Sequence, residues 1–263
     1  MLCSMPEKKR NFIKKNSTSW EKSATWYNKL VGSEGHYYHN HVVVPGVLRL
    51  LKLVKGFSVL DIGSGQGILA RHIPVGVYYQ GIDASPSLVK AAQAQDTNPQ
   101  HTYTAADATK ELPITKKDFM CATALFSLQN MKHPEAAIAQ VSKHLKKGGR
   151  FIMVINHPAF RIPKQSGWSI SEDGEQQRWV TRYMSTLEIP IEMHPGKKNS
   201  EKTVSFHHPL SAYTEFLCKA GLVIEKIEEW ISDKKNQPGP HQKREDIARS
   251  EIPLFMAIVA RKL

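Results

Sequence analysis

Short apolar runs alternate with helical patterns through the middle of the chain. Runs of strand length occupy residues 57–62, 76–82, 101–106, 118–126 and 150–156. Helical patterns over residues 65–72, 85–95 and 134–145 separate several of these runs. Strands spaced in this way are typical of βαβ units with right-handed connections. The alternation therefore predicts an α/β fold with a mostly parallel sheet and helices on both of its faces.

The pattern changes after residue 156. Residues 157–209 are rich in Pro, Gly, Trp and His and contain two strand-like stretches, 186–192 and 202–206. This composition predicts a lid or insertion that follows the fifth strand.

The C-terminal part returns to regular elements. A helical pattern over residues 209–220 ends at Gly221, a residue type that favours the position just after a helix. Two further strands, 222–230 and 253–260, are joined by a polar loop and predict an antiparallel end to the sheet.

These patterns predict one domain, residues 17–263, which follows a basic tail. The predicted parts are the tail (1–16), a helical cap (17–55), a cofactor-binding core (56–156), the lid (157–209) and a C-terminal helix with a strand pair (210–263).

Composition excludes several protein classes. The chain has 263 residues, of which 41% are hydrophobic and 23% charged, and this balance is typical of a folded domain. No apolar stretch approaches the roughly 18–20 residues of a membrane-spanning helix. Three cysteines are too few for a disulfide framework, and the first residues lack the apolar segment of a secretory signal. We therefore expect a cytoplasmic protein.

The charge of the chain is uneven. Residues 1–55 carry ten Lys or Arg and three Asp or Glu, which is +7 of the formal net charge of +12. A basic arm of this kind can attract phosphate-rich partners, or it can be a solvated tail. Both interpretations stay open, and the oligomeric state cannot be inferred from the sequence.

The most informative segment is the glycine loop, residues 61–67, with the sequence Asp-Ile-Gly-Ser-Gly-Gln-Gly. It lies where the first strand ends, which is where ligands bind in open α/β sheets. The G-x-G-x-G spacing differs from the G-x-G-x-x-G pattern of dinucleotide sites. Asp61 stands before the three glycines and suits a cationic ligand group better than a phosphate.

Two further carboxylates follow the next two strands. Asp83 ends the second strand, 20 residues after Gly63, where an acidic side chain can accept hydrogen bonds from ribose hydroxyls. Ala106 and Asp107 follow the third strand, where an amide and a carboxylate can contact the edge of an adenine ring. Together the loop and the two carboxylates predict a nucleoside-binding site at the carboxyl edge of the sheet.

These residues resemble those of class I S-adenosylmethionine-dependent methyltransferases, in particular the small-molecule type that includes ubiquinone and menaquinone C-methyltransferases. The resemblance implies a Rossmann-like, seven-stranded sheet whose last strand is antiparallel. It also implies S-adenosyl-L-methionine as the cofactor and a small molecule as the methyl acceptor. The cofactor contacts that it implies are Tyr27, Asp61, Gly63, Ser64, Gly65, Gly67, Asp83, Ala84, Ala106, Asp107 and Phe126.

The acceptor side is predicted from His, Arg and aromatic residues near the same edge. His157, directly after the fifth strand, is the first candidate for a general base, and His36 is the second. Arg161 can pair with an acidic substrate group through two parallel hydrogen bonds. The predicted substrate-binding residues are Tyr37, Phe160, Arg161, Trp168 and His207.

Several alternative functions remain open. The basic arm favours an RNA methyltransferase, but the segment after the fourth strand, residues 126–129, lacks the Pro-Pro motif of amino-methylating enzymes. Cys121 lies in a strand, where it is expected to be buried and unreactive. The intact cofactor residues are also compatible with a non-catalytic protein that binds S-adenosylmethionine. The glycine spacing disfavours a dehydrogenase, and we expect no metal site, although His36, His39 and His41 lie close together.

Overall fold

A computed structural model describes residues 20–24, 36–192, 202–239 and 241–263. The predicted tail and Tyr27 lie outside the described residues. Eleven strands and five α-helices occur in the described ranges. The strands are β1 (Ser58–Ile62), β2 (Tyr78–Asp83), β3 (His101–Ala105), β4 (Phe119–Leu125), β5 (Leu145–Asn156), β6 (Ser166–Ile170), β7 (Gln176–Val180), β8 (Leu187–Glu192), β9 (Lys202–His207), β10 (Leu222–Trp230) and β11 (Phe255–Lys262). The α-helices are α1 (Val44–Leu51), α2 (Pro86–Gln95), α3 (Pro134–His144), α4 (Leu210–Lys219) and α5 (Gln242–Glu251).

Seven strands form one sheet in the order β10-β11-β5-β4-β1-β2-β3. Strands β1 to β5 run parallel, whereas β11 is antiparallel to both β5 and β10. The predicted fold is thereby confirmed. The strand order reverses between β1 and β4, and in open α/β sheets ligands bind beyond the carboxyl ends of the strands at such a switch point.

The sheet is buried on both faces. One apolar cluster joins the sheet to α1 and α2, and a second joins its opposite face to α3 and α4. All five residues of β1 are buried, as expected for a central parallel strand. Cys121 is also buried, in β4, as the sequence predicted.

Two antiparallel hairpins follow β5. One is formed by β6 and β7, and the other by β8 and β9. The second hairpin confirms the two strand-like stretches of the predicted lid, while the first replaces a region in which the sequence predicted no regular element.

Two segments differ from the sequence predictions, the helix expected over residues 65–72 and the polar loop expected between the last two strands. Residues 65–72 form turns and a short 3₁₀ helix, Ala70–His72, instead of a longer helix. Gly67 has a positive φ of 78°, and Pro74 disfavours helical backbone at the residue before it, so a regular helix does not develop. The polar loop after β10 also contains α5, which the sequence missed because only Ala248 of this helix is buried.

Candidate active site

A cavity of about 980 Å³ opens at the carboxyl edge of the parallel strands. Its volume lies at the upper end of the range of roughly 300–1,000 Å³ for small-ligand sites. The strand ends and loops of β1 to β4 contribute Gly63, Gly65, Asp83, Ala84, Ala106, Asp107, Phe126 and Ser127 to its wall. Seven of the residues predicted to bind the cofactor are thus brought to one cavity.

The loop after β1 passes very close to the end of β4. Gly63 has a φ of +72°, and a Cβ atom added there would lie 2.2 Å from the Cβ atom of Ser127. The Ser127 hydroxyl donates a 2.6 Å hydrogen bond to the carbonyl of Ile62. Only glycine therefore fits at position 63, and the contact fixes the two strand ends against each other.

Asp83 connects the glycine loop to the end of β2. Its Oδ2 accepts a 2.8 Å hydrogen bond from the Gly65 amide, and its Oδ1 accepts a 2.9 Å bond from the Ser85 amide. Burial raises the pKa of Asp83, and these two backbone donors oppose the rise. Each carboxylate oxygen keeps a second lone pair that can accept a ligand hydroxyl.

Asp107 also lines the cavity, with a different set of partners. Its Oδ1 accepts hydrogen bonds from the amide and the hydroxyl of Thr109, at 3.0 and 2.7 Å. Burial acts to raise the pKa of Asp107, but the Thr109 donors and Lys110 together hold it below the usual value. The Ala106 amide donates to the Asp83 carbonyl at 2.8 Å, so this N–H is already paired.

Asp61 lies behind the glycine loop and is not part of the cavity wall. Its carboxylate is buried and accepts hydrogen bonds from Tyr79 Oη at 2.6 Å and Thr123 Oγ1 at 2.7 Å. Burial raises the pKa of Asp61 to about 6, against the opposing effect of these two donors. The remaining predicted loop residues, Ser64 and Gly67, are also outside the wall, and the first of them is buried.

A short N-terminal segment closes one side of the cavity. Trp20 is part of the wall, and the neighbouring Glu21 reaches the start of α2. The Glu21 carboxylate accepts hydrogen bonds from the hydroxyls of Ser85 and Ser87, each 2.5 Å long, and these bonds lower its pKa.

Phe126, which follows β4, and His39, which precedes α1, both line the cavity. Phe126 has a φ of +55°, a conformation that costs a non-glycine residue on the order of 1–3 kcal/mol and is often found at functional sites. Its ring lies 5.9 Å from that of His39, which belongs to a π-helical turn, His39–Val43. The Nδ1 atom of His39 is buried and has no hydrogen-bond partner.

The structure places His157 away from the large cavity. Its Nε2 donates to Glu229 Oε1 at 2.6 Å, and its Nδ1 accepts from the amides of Ala159 and Phe160 at 3.2 and 3.3 Å. Both ring nitrogens are therefore paired within the protein. This arrangement fixes the turn after β5 and leaves no lone pair for a substrate proton, so the geometry does not favour the predicted role as a base.

His36 and Tyr37 also lie outside the cavity wall. Tyr37 stacks on His41 with ring centroids 4.1 Å apart, and its hydroxyl donates to Asp233 at 3.2 Å. Burial lowers the pKa of His36, with further contributions from Lys234 and Arg161.

The remaining predicted substrate residues divide into two groups. Trp168 lies in the β6–β7 hairpin with its ring against Arg178, and Phe160 stacks on His157, so neither is part of the large cavity. Arg161 and His207 line a separate small cavity that adjoins the large one.

Four polar residues of the wall are not among the predicted contacts, although the family resemblance implies that the segment 126–129 faces the sulfur and methyl group of the cofactor. Ser127, Gln129, Asn156 and Ser205 belong to this wall, and the side chain of Gln129 accepts a 2.8 Å hydrogen bond from the Asn156 amide. The signal for Gln129 and Asn156 was their position after β4 and at the end of β5. No comparable signal marks Ser205, which comes from the second hairpin.

The described ranges contain neither a metal cluster nor a membrane span. No three His, Cys, Asp or Glu side chains there converge in a way that could hold a metal ion. Over the same ranges, no helix is long and apolar enough to cross a membrane.

Comparisons with known proteins agree with this geometry. A family model described as a methyltransferase domain matches residues 35–223. The chain is 28% identical over 187 residues to a ubiquinone/menaquinone biosynthesis C-methyltransferase from Burkholderia vietnamiensis, covering 64% of this chain and 73% of that protein. It is 29% identical over 109 residues to a demethylmenaquinone methyltransferase from Renibacterium salmoninarum, covering 41% and 45%.

Solved structures share the fold. The crystal structure of an S-adenosylmethionine-dependent methyltransferase from Mesorhizobium loti has a TM-score of 0.69 and 25% identity, covering 88% of this chain and all of that one. A second crystal structure, from Listeria monocytogenes, has a TM-score of 0.63 and 23% identity, covering 83% and 99%.

Proposed function

We infer the methyl acceptor and the roles of the site residues on the premise that this chain belongs to the methyltransferase-domain family, as the match over residues 35–223 shows. The chain is an S-adenosylmethionine-dependent methyltransferase of class I. We propose that it methylates a small molecule. The observation that carries this proposal is the single cavity at the sheet edge, where the glycine loop, Asp83 and Asp107 meet a polar wall from other segments.

The cofactor half of the cavity fits S-adenosylmethionine. When bound, this cofactor supplies a methyl group on a positively charged sulfur. In this proposal the Asp83 carboxylate accepts hydrogen bonds from ribose hydroxyls, and Asp107 accepts one from an adenine amino group. Gly63 and Gly65 let the backbone approach the ligand closely. Asp61, Ser64 and Gly67 lie outside the cavity wall, so we propose that they hold the glycine loop in place instead of contacting the cofactor. The predicted contact of Tyr27 stays a prediction.

The other half of the cavity is proposed to hold the acceptor. Methyl transfer requires the accepting atom to be aligned near 3–3.5 Å from the methyl group with water excluded, and such positioning is worth roughly 7–11 kcal/mol. Gln129, Asn156 and Ser205 provide polar groups for orientation, and Phe126 provides an apolar surface. The relatives are named for C-methylation in quinone biosynthesis, which favours carbon as the accepting atom.

We propose His39 as a polar contact for the acceptor. Its buried Nδ1 lacks a partner, and its ring lines the cavity beside Phe126. Burial, with a smaller effect of His36, lowers the pKa of His39 to about 4. At neutral pH the ring is therefore uncharged and can form one hydrogen bond with the acceptor. His157 and His36 remain less favoured candidates for a base.

RNA methylation is the alternative that the basic arm favours, and that arm lies outside the described residues. A cytoplasmic location is part of the proposal and is consistent with the free thiols of Cys121 and Cys218.

Transfer of a labelled methyl group into a fractionated cell extract tests the acceptor class. Radiolabelled S-adenosylmethionine is incubated with the enzyme and with extract separated into small molecules, RNA and protein. We expect label in the small-molecule fraction alone, and unchanged labelling when residues 1–16 are removed. Label in RNA that disappears with this arm would contradict the proposal and support the alternative.

A further inference from the structure

One guanidinium group in the turn after β5 has no partner that explains its position. The side chain of Arg161 is partly buried, and its Nη1 is fully buried without a hydrogen bond. Among the described residues it forms neither a side-chain hydrogen bond nor an ion pair, and its guanidinium lies over the face of the Phe255 ring, 5.1 Å away. By contrast, Arg178 of the neighbouring hairpin donates two hydrogen bonds, from Nε and Nη2, to the Phe160 carbonyl of the same turn.

The surroundings of Arg161 are unfavourable for an unpaired cation. Burial lowers its pKa, Arg178 lowers it further, and Tyr38 opposes this only in part. A cation that is removed from water without an anion is costly, so buried charges are normally paired. An anion beside Arg161 would therefore be stabilised by a charge that the described residues leave unpaired.

Arg161 faces a small cavity that adjoins the cofactor cavity. The small cavity has a volume of about 20 Å³ and shares Gln129, Asn156, Pro163 and Ser205 with the large one. A second unpaired polar atom, Nε2 of His208, is buried in a residue of its wall. Among the described residues that line it, none is acidic.

These observations indicate what could occupy the small cavity. An anion there would adjoin Arg161 and His208. A guanidinium pairs with a carboxylate through two parallel hydrogen bonds. Because one water-sized group needs about 10–15 Å³, a cavity of this size suits the two oxygens of a carboxylate better than the three of a phosphate.

We propose that the small cavity binds a carboxylate of the methyl acceptor, so that the acceptor is a small carboxylic acid anchored by Arg161 and His208. This inference rests on the proposed function, because the large cavity must hold the cofactor and the rest of the acceptor.

Calorimetric titration of the protein saturated with S-adenosylhomocysteine tests the proposal. The probes are benzoate, its neutral analogue benzamide, and phenyl phosphate. The test variant is Arg161→Met, and the matched control is Arg182→Met, which removes the same charge from an exposed residue of the same insertion. Melting temperatures of the proteins without probe are measured in parallel.

We expect benzoate to bind more tightly than benzamide or phenyl phosphate. Arg161→Met is expected to weaken benzoate binding by about ten- to a hundredfold, as for the loss of hydrogen bonds between charged groups, and Arg182→Met is expected to leave it unchanged. Because an unpaired buried charge is removed, Arg161→Met without probe should melt no lower than the wild type.

The proposal is overturned if benzoate does not bind, if benzamide binds as tightly as benzoate, or if phenyl phosphate binds more tightly than benzoate. It is also overturned if Arg161→Met binds benzoate as tightly as the wild type, or if this variant without probe melts at a lower temperature. Binding of S-adenosylhomocysteine separates the two levels. If it binds and benzoate fails, only the carboxylate site is refuted, whereas its own failure to bind refutes the proposed function.

Discussion

At the scale of single residues, hydrogen-bond partners decide what each imidazole can do. His157 and His39 both lie near the edge of the sheet, but the first has both ring nitrogens paired, whereas the second lines the cavity and has a buried Nδ1 without a partner. Sequence position alone favoured His157, because it directly follows β5. Its pairing with Glu229, 72 residues away, depends on β10 lying at the edge of the sheet and has no local signal.

The variant His157→Phe tests this difference. It keeps an aromatic ring against Phe160 but removes the bond to Glu229 and the acceptor for two amides. We expect the free energy of unfolding to fall by about 1–3 kcal/mol, with methyl transfer to the acceptor changed less than tenfold at a temperature where the variant is folded. Urea unfolding and the labelled-methyl assay give the two values. A hundredfold slower transfer in an equally stable protein would instead make His157 the base.

At the scale of elements, the site depends on contacts between strand ends. The alternation of apolar runs was sufficient to predict where the core strands lie along the chain, and that the glycine loop, Asp83 and Asp107 follow three of them. It was insufficient for α5, which has almost no buried face, and for the β6–β7 hairpin, which packs outside the main core. The close approach of Gly63 to Ser127 joins residues 64 positions apart and appears only when β1 and β4 are adjacent.

The variant Gly63→Ala measures this close approach. Gly174→Ala is its matched control, because Gly174 also has a positive φ, 82°, but has nothing within 4 Å of an added Cβ. The free energy of unfolding of the control should fall only by the roughly 1–2 kcal/mol that an alanine in left-handed backbone costs. The free energy of unfolding of Gly63→Ala, measured by urea unfolding, should fall further. Calorimetry should show that this variant binds S-adenosylhomocysteine at least tenfold more weakly. Equal effects of the two substitutions would contradict the interlocked strand ends.

At the scale of the whole molecule, buried titratable groups couple stability to pH. Burial lowers the pKa of five histidines, His36, His39, His157, His207 and His208. Their unfolded forms bind more protons than their folded forms below about pH 6.5, so acid destabilises the fold through them. Burial raises the pKa of Asp61 and Asp83, whose folded forms bind more protons, and this opposes the loss as the pH falls below about 6.

The five imidazoles outnumber the two carboxyl groups, so we expect the free energy of unfolding to decrease between pH 7 and about pH 4.5. Urea unfolding across this range tests the balance. The decrease should be smaller in His39→Phe, since the unfolded chain then takes up one proton fewer. Stability that rises on acidification, or an unchanged slope in this variant, would show that burial does not lower the pKa of these histidines.

The central claim is that S-adenosylmethionine binds at the carboxyl edge of the sheet with its ribose on Asp83. Calorimetric titration of S-adenosylhomocysteine into wild type, Asp83→Asn and the exposed control Asp118→Asn tests it most directly. Loss of hydrogen bonds to a charged carboxylate corresponds to about 1.5–3 kcal/mol, so we predict roughly ten- to a hundredfold weaker binding by Asp83→Asn and none of this effect in the control. Equal affinity of all three proteins, or no binding by the wild type, would contradict the claim.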